Sequence, residues 1–276
     1  MNVVRHLNAG TLWSLPAWSR APRSKTGVDY AAVRDAGFSA LQHHWPEPAA
    51  HEAGLDFAGM VRLIDPAQVA AAFKRQRDWN AKHVTVHLGH GFESEDEARR
   101  LIDICFTAAD RHGLEWSVET HRATVTQDAY RTLALINEYP DLRFTADLSH
   151  WYTGLELAYG DFEAKLDRLQ PVFERVTYIH LRIGHSCTMQ LAPSALKGHP
   201  ALDHYAEMWR RCLVYTCAPE VVIAPELLPA TVHDGQRLHY LNYAVLDNKG
   251  QERSDRWVDA LELCAIVEAL VPLTRP

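Results

Sequence analysis

Several features of common protein classes are missing from the sequence. Its five cysteines are odd in number and form no CxxC pair, which argues against a disulfide framework and favours reduced thiols in a cytoplasmic protein. No apolar run is long enough to cross a bilayer, and the N-terminal MNVVRHLNAG has no long apolar segment typical of signal peptides. Neither GxGxxG nor GxxxxGK[ST] occurs, so the usual phosphate-binding loops are missing too.

Positive charge is also scarce. Lys and Arg total 28 against 35 Asp and Glu, which gives a formal net charge of -7 at pH 7. Because nucleic acids and anionic membranes attract basic surfaces, we expect neither as a partner. The chain does have a hydrophobic content of 47%, enough for a sizeable core, and sixteen histidines. Histidine supplies metal ligands and proton-transfer groups, so its positions guide the search for a site.

Eight apolar runs alternate with amphipathic stretches along the 276 residues. The predicted strands cover 3–8, 38–43, 55–61, 84–88, 114–120, 143–148, 176–183 and 221–227. The predicted helices cover 29–36, 66–81, 127–139, 162–169 (ending before Pro171), 203–215 and about 254–271. A further helix, the clearest in the chain, begins at the capping pair Ser94 and Glu97 and ends at Gly113. Parallel strands with helical crossovers predict one α/β domain, residues 1–276, folded as a (β/α)8 TIM barrel. An open doubly wound sheet is the alternative.

Polar side chains collect at the carboxyl ends of the later predicted strands. The segments VTVHLGHG, WSVETH, FTADLSHW, YIHLRIGH and VIAPELLP place His87, Glu119, Asp147, His180 and Glu226 there. In a TIM barrel these strand ends face one mouth, where catalytic groups from several strands meet. Residues two apart share a strand face, so the polar groups can point inward while apolar neighbours pack under the helices.

Three carboxylates that converge in one mouth would repel one another. A divalent cation removes that problem, so the sequence predicts one metal ion bound by Glu119, Asp147, His180 and Glu226. This mainly oxygen set suits Mn²⁺, Mg²⁺ or Co²⁺, and Zn²⁺ is also compatible. Two simpler interpretations stay open. Asp147 also fits the N-cap of the following segment, and Arg182 also fits a structural ion pair that would leave no metal.

The order VETH, TADLSHW, YIHLR and APELL resembles the xylose isomerase-like TIM-barrel superfamily, often described as sugar phosphate isomerases/epimerases. The resemblance covers nearly the whole chain. It implies a single divalent metal ion held by Glu119, Asp147, His180 and Glu226. It also implies that Glu119 and Glu226 are the catalytic acid and base on opposite faces of a sugar.

The resemblance further implies which residues contact the substrate. His150, three residues after the aspartate, corresponds to a histidine that contacts substrate hydroxyls, and Arg182 corresponds to an arginine that orients substrate oxygens. We assign His87, His185 and Trp151 to the same substrate-binding pocket because they lie at or near predicted strand ends.

The expected activity follows from these groups. Isomerisation or epimerisation removes a weakly acidic proton next to a carbonyl. We therefore expect a divalent-metal-dependent isomerase or epimerase of a small sugar, keto-sugar or polyol, working through a metal-stabilised enediolate. A metal-assisted hydride shift, a dehydratase on the same site, an apurinic-endonuclease-type hydrolase and a non-catalytic binding barrel are the alternatives. The expected partner is a small carbohydrate, and homo-oligomerisation is left open.

Two departures from the family pattern bear on the substrate. Ketose 3-epimerases carry another glutamate shortly after the strand-five one, whereas residues 121–125, HRATV, contain no carboxylate. The apurinic endonucleases carry an Asp-x-His after strand seven, whereas residues 184–187, GHSC, lack the aspartate. His87 does resemble the strand-four histidine of those endonucleases, which leaves a second metal ion open.

Overall fold

Eight parallel strands close into a barrel in the computed structural model, which describes residues 1–25, 27–233 and 235–271. The strands are β1 (Asn2–Asn8), β2 (Ala40–His43), β3 (Asp56–Leu63), β4 (Val84–Leu88), β5 (Trp116–Glu119), β6 (Phe144–Ala146), β7 (Val176–Leu181) and β8 (Glu220–Pro225). Neighbours in sequence pair in parallel, and β1 pairs with both β2 and β8. The predicted (β/α)8 barrel is confirmed. The predicted domain range of 1–276 also includes positions 26, 234 and 272–276, which lie outside the described residues.

Helices connect the strands and cover the barrel. They are α1 (Tyr30–Asp35), α2 (Pro48–Glu52), α3 (Pro66–Asp78), α4 (Glu95–His112), α5 (Ala129–Glu138), α6 (Leu148–Gly154), α7 (Phe162–Phe173), α8 (Pro200–Tyr215) and α9 (Arg256–Leu270). The predicted capping box of α4 is present, because Ser94 and Glu97 each accept the other's backbone N–H, and Gly113 ends the helix with φ 61°. Among the described residues, no helix is both long and apolar enough to span a membrane.

The structure corrects several predicted element boundaries. The predicted helix end before Pro171 is wrong, since α7 continues to Phe173. Proline removes one backbone hydrogen bond there, and burial of Val172 and Phe173 offsets the loss. The strand predicted at 143–148 ends at Ala146, because the next residue, Asp147, caps α6. The helix predicted from residue 203 begins at Pro200. The sequence analysis did not predict α2, α6 or the hairpin of 231–233 with 238–240.

Below the mouth, the barrel interior contains polar but uncharged residues. We call them the neutral layer: His6, Thr85, Ser117, Thr145 and Tyr178. The hydroxyl of Thr145 lies 2.9 Å from that of Thr85 and 2.6 Å from that of Ser117. The hydroxyl of Tyr178 lies 3.2 Å from Nδ1 of His6. Each member comes two residues before a polar residue of the mouth, so the strand period places the next set of side chains towards the carboxyl end of the barrel.

Candidate active site

The four predicted ligands meet at the carboxyl ends of β5 to β8. Glu119 ends β5, Asp147 follows β6, His180 lies in β7 and Glu226 follows β8. One ligand atom from each lies within 4.8 Å of the others. Glu226 is 4% exposed and the other three are fully buried. The structure therefore places together the four residues that the strand-end pattern selects.

His180 is oriented by a residue from the opposite side of the barrel. Its Nε2 lies 2.9 Å from Oε1 of Gln42, whose amide nitrogen donates to the Thr85 hydroxyl at 3.0 Å. Nε2 is therefore the donor, and Nδ1 faces the carboxylates, 3.1 Å from Oε2 of Glu226 and 3.5 Å from Oε2 of Glu119. A fixed partner on the far ring nitrogen is the usual arrangement around a metal-binding histidine.

Glu119 has one oxygen with a partner and one without. Nε2 of His87 donates to Oε2 at 2.7 Å. Oε1 is buried, and no described residue forms a hydrogen bond with it. A buried carboxylate oxygen without a partner costs free energy, and such atoms in native structures often face a ligand or ion.

Arg182 lies among the same carboxylates. Its Nη2 is 2.8 Å from Oδ2 of Asp147 and forms a shorter ion pair with Oε2 of Glu226. The guanidinium also lies over the ring of Tyr243, 4.6 Å from the ring centre. Arg182 is only 2% exposed. The arginine thus forms the structural ion pair that the sequence left open, and it pairs with two carboxylates.

The surrounding groups shift the pKa values of the three carboxyl groups in different directions. Burial raises the pKa of Asp147 to about 6, although Arg182 opposes this. Burial also favours the neutral form of Glu226, but His180 and Arg182 outweigh it and bring that pKa to about 2. The histidines beside Glu119 likewise overcome its burial and hold its pKa well below the ordinary range. Burial lowers the pKa of His180, whereas Glu226 and Glu119 raise it to about 10. Near neutral pH, the described side chains of this group therefore include three carboxylates and two cations, His180 and Arg182.

His150 lies beside the ligand group. It is 2% exposed, and its Nε2 is 3.6 Å from Oδ2 of Asp147. Neither of its ring nitrogens has a hydrogen-bond partner in the described part of the chain. Its ring packs 3.9 Å from that of His121, which lies 4.5 Å from the ring of His87. Three histidine rings therefore line one side of the site, and the predicted sugar contact of His150 stays a prediction.

The two other predicted substrate residues make contacts within the protein. Nδ1 of His185 accepts the backbone N–H of Cys187 at 3.2 Å in a tight turn. Trp151 is buried, and its indole N–H donates to the carbonyl of Thr126 at 2.8 Å. These contacts do not place either residue against the four ligands, and their substrate roles stay predictions.

Three residues that the sequence analysis missed complete the site. Nδ2 of Asn8 donates to Oε1 of Gln42 at 3.0 Å and to Oε1 of Glu226 at 3.3 Å. Asn8 ends β1 and Gln42 lies near the end of β2, so the strand-end pattern would have found both had it been applied to the first two strands. Tyr243 follows the barrel in a long irregular segment, where no periodicity marks it.

The donor set fits a divalent cation. It offers three carboxylates, an imidazole nitrogen oriented by Gln42, a buried oxygen of Glu119 unpaired among the described residues and an excess of negative charge. Arg182 already pairs with Oδ2 of Asp147 and Oε2 of Glu226, two of the oxygens that could hold an ion. His87, Glu119 and His121 form a second group whose ligand atoms also lie within 4.8 Å of one another.

Solved structures share this architecture over their full length. A xylose isomerase-like TIM-barrel protein from Mycobacterium smegmatis, solved with magnesium, has a TM-score of 0.58 and 12% identity, covering 99% of this chain and 98% of its own. A D-tagatose 3-epimerase-like protein has a TM-score of 0.59 and 11% identity, covering 98% of each chain. The chain has the xylose isomerase-like TIM-barrel fold. A sugar phosphate isomerase/epimerase from Parabacteroides distasonis has the same xylose isomerase-like architecture, with a TM-score of 0.56, 11% identity and coverage of 100% of this chain and 98% of its own.

The likeness to xylose isomerase-like barrels concerns the fold. At identities of 11% to 12%, it does not identify a reaction or a substrate. The sequence matches no protein-family model and no curated protein. An argument for function therefore has to come from the residues at the mouth of the barrel.

Proposed function

We propose that this protein is a divalent-metal-dependent isomerase or epimerase of a small sugar, keto-sugar or polyol. The observation that carries the proposal is the buried group of Glu119, Asp147, His180 and Glu226 at the carboxyl end of the barrel. The names of solved structures with the same fold, one of them holding magnesium, support it. We also propose that the protein works in the cytoplasm and binds no nucleic acid, as its free cysteines and net charge of -7 favour.

The four ligands define what a bound ion would contribute. A divalent ion there would stabilise the negative charge that develops on substrate oxygens when the adjacent carbon loses its proton. Three carboxylates favour Mn²⁺, Mg²⁺ or Co²⁺, and Zn²⁺ is also compatible. Gln42 holds Nε2 of His180, so Nδ1 is the nitrogen that faces the ligand group.

Glu119 and Glu226 are the proposed proton carriers. Their strands, β5 and β8, flank the strands of Asp147 and His180, so the two carboxylates approach the mouth from different sides. Both have a lowered pKa and are ionised near neutral pH, which lets either accept a proton from a substrate carbon. One glutamate removes the proton from the substrate carbon. The other first takes up a proton from solvent and then delivers it to the opposite face, and the first glutamate releases its proton to solvent.

The remaining residues hold and enclose the substrate in this proposal. His150 keeps both ring nitrogens unpaired among the described residues, so it has hydrogen-bonding capacity for sugar hydroxyls. Tyr243 covers Arg182, and the ligands are almost inaccessible to solvent. The segment that carries Tyr243 is therefore the proposed lid, which would open to let a sugar reach the carboxylates, as lid segments do in many enzymes.

Exchange of protons with solvent tests the proposal. The protein is incubated with Mn²⁺ in deuterated water with a panel of ketohexoses, ketopentoses and 3-keto-glucosides, and each sugar is analysed by NMR and mass spectrometry. We expect one sugar to gain deuterium next to its carbonyl or to appear as its epimer or isomer. Glu119→Gln and Glu226→Gln should lose this exchange, whereas Glu207→Gln, a matched change on α8, should keep it.

Other outcomes would redirect the assignment. Loss of water from the exchanged sugar would identify the dehydratase alternative. Cleavage of abasic DNA without sugar exchange would favour the hydrolase. Full turnover by either Gln variant of the two proposed proton carriers would show that the acid–base assignment is wrong.

A further inference from the structure

Arg182 lies where a cation shared by Asp147 and Glu226 would bind. Its Nη2 is 2.8 Å from Oδ2 of Asp147 and forms a shorter ion pair with Oε2 of Glu226. A guanidinium stays charged at any physiological pH, so these carboxylates have a counter-ion supplied by the protein. A metal ion bound to the same two oxygens would therefore meet a fixed positive charge at close range.

We propose that Arg182 competes with the divalent metal ion for Asp147 and Glu226, and that metal binding displaces its Nη2 from their oxygens. The inference rests on the proposed metal site, and it concerns the affinity of that site. Like charges in a buried site of low polarity repel strongly. The four ligands therefore bind metal less tightly than they would without the arginine.

Tyr243 contacts the guanidinium while Nη2 is still paired, and we infer that this contact becomes stronger once the carboxylates no longer neutralise the charge. The guanidinium carbon of Arg182 lies 4.6 Å from the centre of the Tyr243 ring, within the range of a cation–π interaction. Nε and Nη1 of the arginine are buried, and neither has a hydrogen-bond partner in the described part of the chain. Nη2 can thus leave the carboxylates without breaking other hydrogen bonds of the same side chain.

The opposite role for Arg182 makes a different prediction. If the guanidinium held the carboxylates in the geometry that metal needs, removing it would weaken metal binding. Competition predicts the reverse, because the oxygens of Asp147 and Glu226 become free and a nearby positive charge disappears.

Calorimetric titration of Mn²⁺ separates the two roles. Wild type and Arg182→Gln are stripped of metal with a chelator, dialysed and titrated at one neutral pH. We expect Arg182→Gln to bind Mn²⁺ at least tenfold more tightly, and to unfold at a lower temperature than wild type when metal is absent. Unchanged or weaker affinity in the variant would overturn the proposal.

Arg211→Gln is the matched control. Arg211 is also buried, at 7% exposure, and pairs with acidic residues of α7 and α8 outside the barrel mouth: Glu163, Asp167 and Glu207. Its loss should lower thermal stability and leave Mn²⁺ affinity within about twofold of wild type. A tenfold gain of affinity in this variant too would show that the effect is not specific to Arg182.

Tyr243→Leu provides a test that does not depend on the folding of Arg182→Gln. Because Tyr243 is only half-buried, the change should leave the barrel folded. We expect weaker Mn²⁺ binding in this variant, and no further effect of the same change when it is combined with Arg182→Gln. An unchanged affinity in Tyr243→Leu would contradict the proposed strengthening of the contact between Tyr243 and the guanidinium.

The titrations also distinguish this proposal from the proposed function. If only Arg182→Gln binds Mn²⁺, competition holds and the metal dependence of the wild type fails. If both bind it equally, the metal site stands and competition fails. If neither binds it, both proposals fail.

Discussion

The barrel interior has two polar levels, the neutral layer and the four predicted ligands at the mouth. The polar atoms of these two levels find hydrogen-bond partners in different ways. In the neutral layer, the hydroxyl of Thr145 contacts those of Thr85 and Ser117 at 2.9 and 2.6 Å. Two residues further along β5, Glu119 keeps a buried oxygen that no described residue pairs with, and it faces two other carboxylates. Hydroxyl groups can both donate and accept, so they complete one another's hydrogen bonds. Carboxylates only accept, so their group depends on donors and cations; His180 and Arg182 supply some of these, and Oε1 of Glu119 keeps no partner among the described residues.

The largest difference between the levels should be in catalysis. Replacing Glu226 with Gln removes a proton carrier, and we expect solvent deuterium exchange to fall by about 10²–10⁴-fold. Replacing Thr145 with Val in the neutral layer should change the exchange rate by no more than a few fold. Initial exchange rates measured by mass spectrometry with saturating Mn²⁺ compare the two variants. Equal losses would show that the neutral layer also serves the reaction.

Stabilisation of the protein by metal should also depend on the predicted ligands at the mouth. Mn²⁺ at 100 times its Kd should stabilise wild type by about 2.7 kcal/mol. In Asp147→Asn, the amide oxygen still accepts the Ser149 N–H, which Oδ1 of Asp147 accepts at 3.0 Å, so the start of α6 is kept. The ligand charge is lost, and we expect no rise in Tm on adding Mn²⁺. A rise equal to that of wild type, seen by differential scanning calorimetry, would remove Asp147 from the ligand set.

The pH dependence of stability should show the influence of the neutral layer. Burial lowers the pKa of His6 to about 4, below the value of 6.5 expected in the unfolded chain. Between pH 6.5 and 4, the histidine therefore binds a proton more readily in the unfolded chain than in the folded protein. The free energy of unfolding is highest above pH 6.5 and falls as the pH drops towards 4. Since each pKa unit corresponds to about 1.4 kcal/mol, we expect His6 to lower the free energy of unfolding on the order of 2 kcal/mol over this pH range.

Urea unfolding of the metal-free protein at about pH 7 and pH 4.5 measures this loss. His6→Phe cannot titrate and keeps an aromatic ring next to Tyr178, whose ring centre lies 5.5 Å from that of His6. The variant should lose less stability between the two pH values than wild type. An equal loss in both would assign the acid sensitivity to other groups.

The smallest expected effect is on stability within the neutral layer. Thr145→Val removes one hydroxyl from a buried chain of hydrogen bonds and keeps the side-chain shape. We expect the free energy of unfolding to fall by about 1–2 kcal/mol, measured with urea, while Mn²⁺ affinity stays the same. A change in affinity would mean that the two levels are coupled, most directly through the Thr85 hydroxyl that Gln42 contacts.

The sequence was sufficient for the barrel and for the meeting of the four predicted ligands at its mouth. Strand period is a local pattern, and the general rule that parallel barrel strands end at one mouth then brings Glu119, Asp147, His180 and Glu226 together. The orientation of Arg182 could not be predicted in the same way. Its place two residues after His180 predicts that it points inward, but its pairing depends on side-chain torsions and on Tyr243, which comes from an irregular segment.

Two local misjudgements have physical causes as well. The strand pattern treated Asp147 as part of β6, although an aspartate at this position also fits an N-cap, and its side chain accepts the backbone N–H of Ser149 at the start of α6. The rule that proline ends a helix failed at Pro171, because tertiary burial of the following two residues outweighs a lost hydrogen bond. Local rules are least reliable where one residue can serve two neighbouring elements.

The pairing of β1 with β8 sets the order in which the site can assemble. Val3 lies opposite Val221 and Arg5 opposite Ile223, so the ring joins segments from distant parts of the chain. During synthesis, Glu119, Asp147 and His180 emerge on consecutive strands and can approach early, whereas Glu226 arrives only after β8 has been made. Joining distant segments is the slow, entropically costly step of such a topology. Closing the ring therefore also brings Glu226 to the other three predicted ligands.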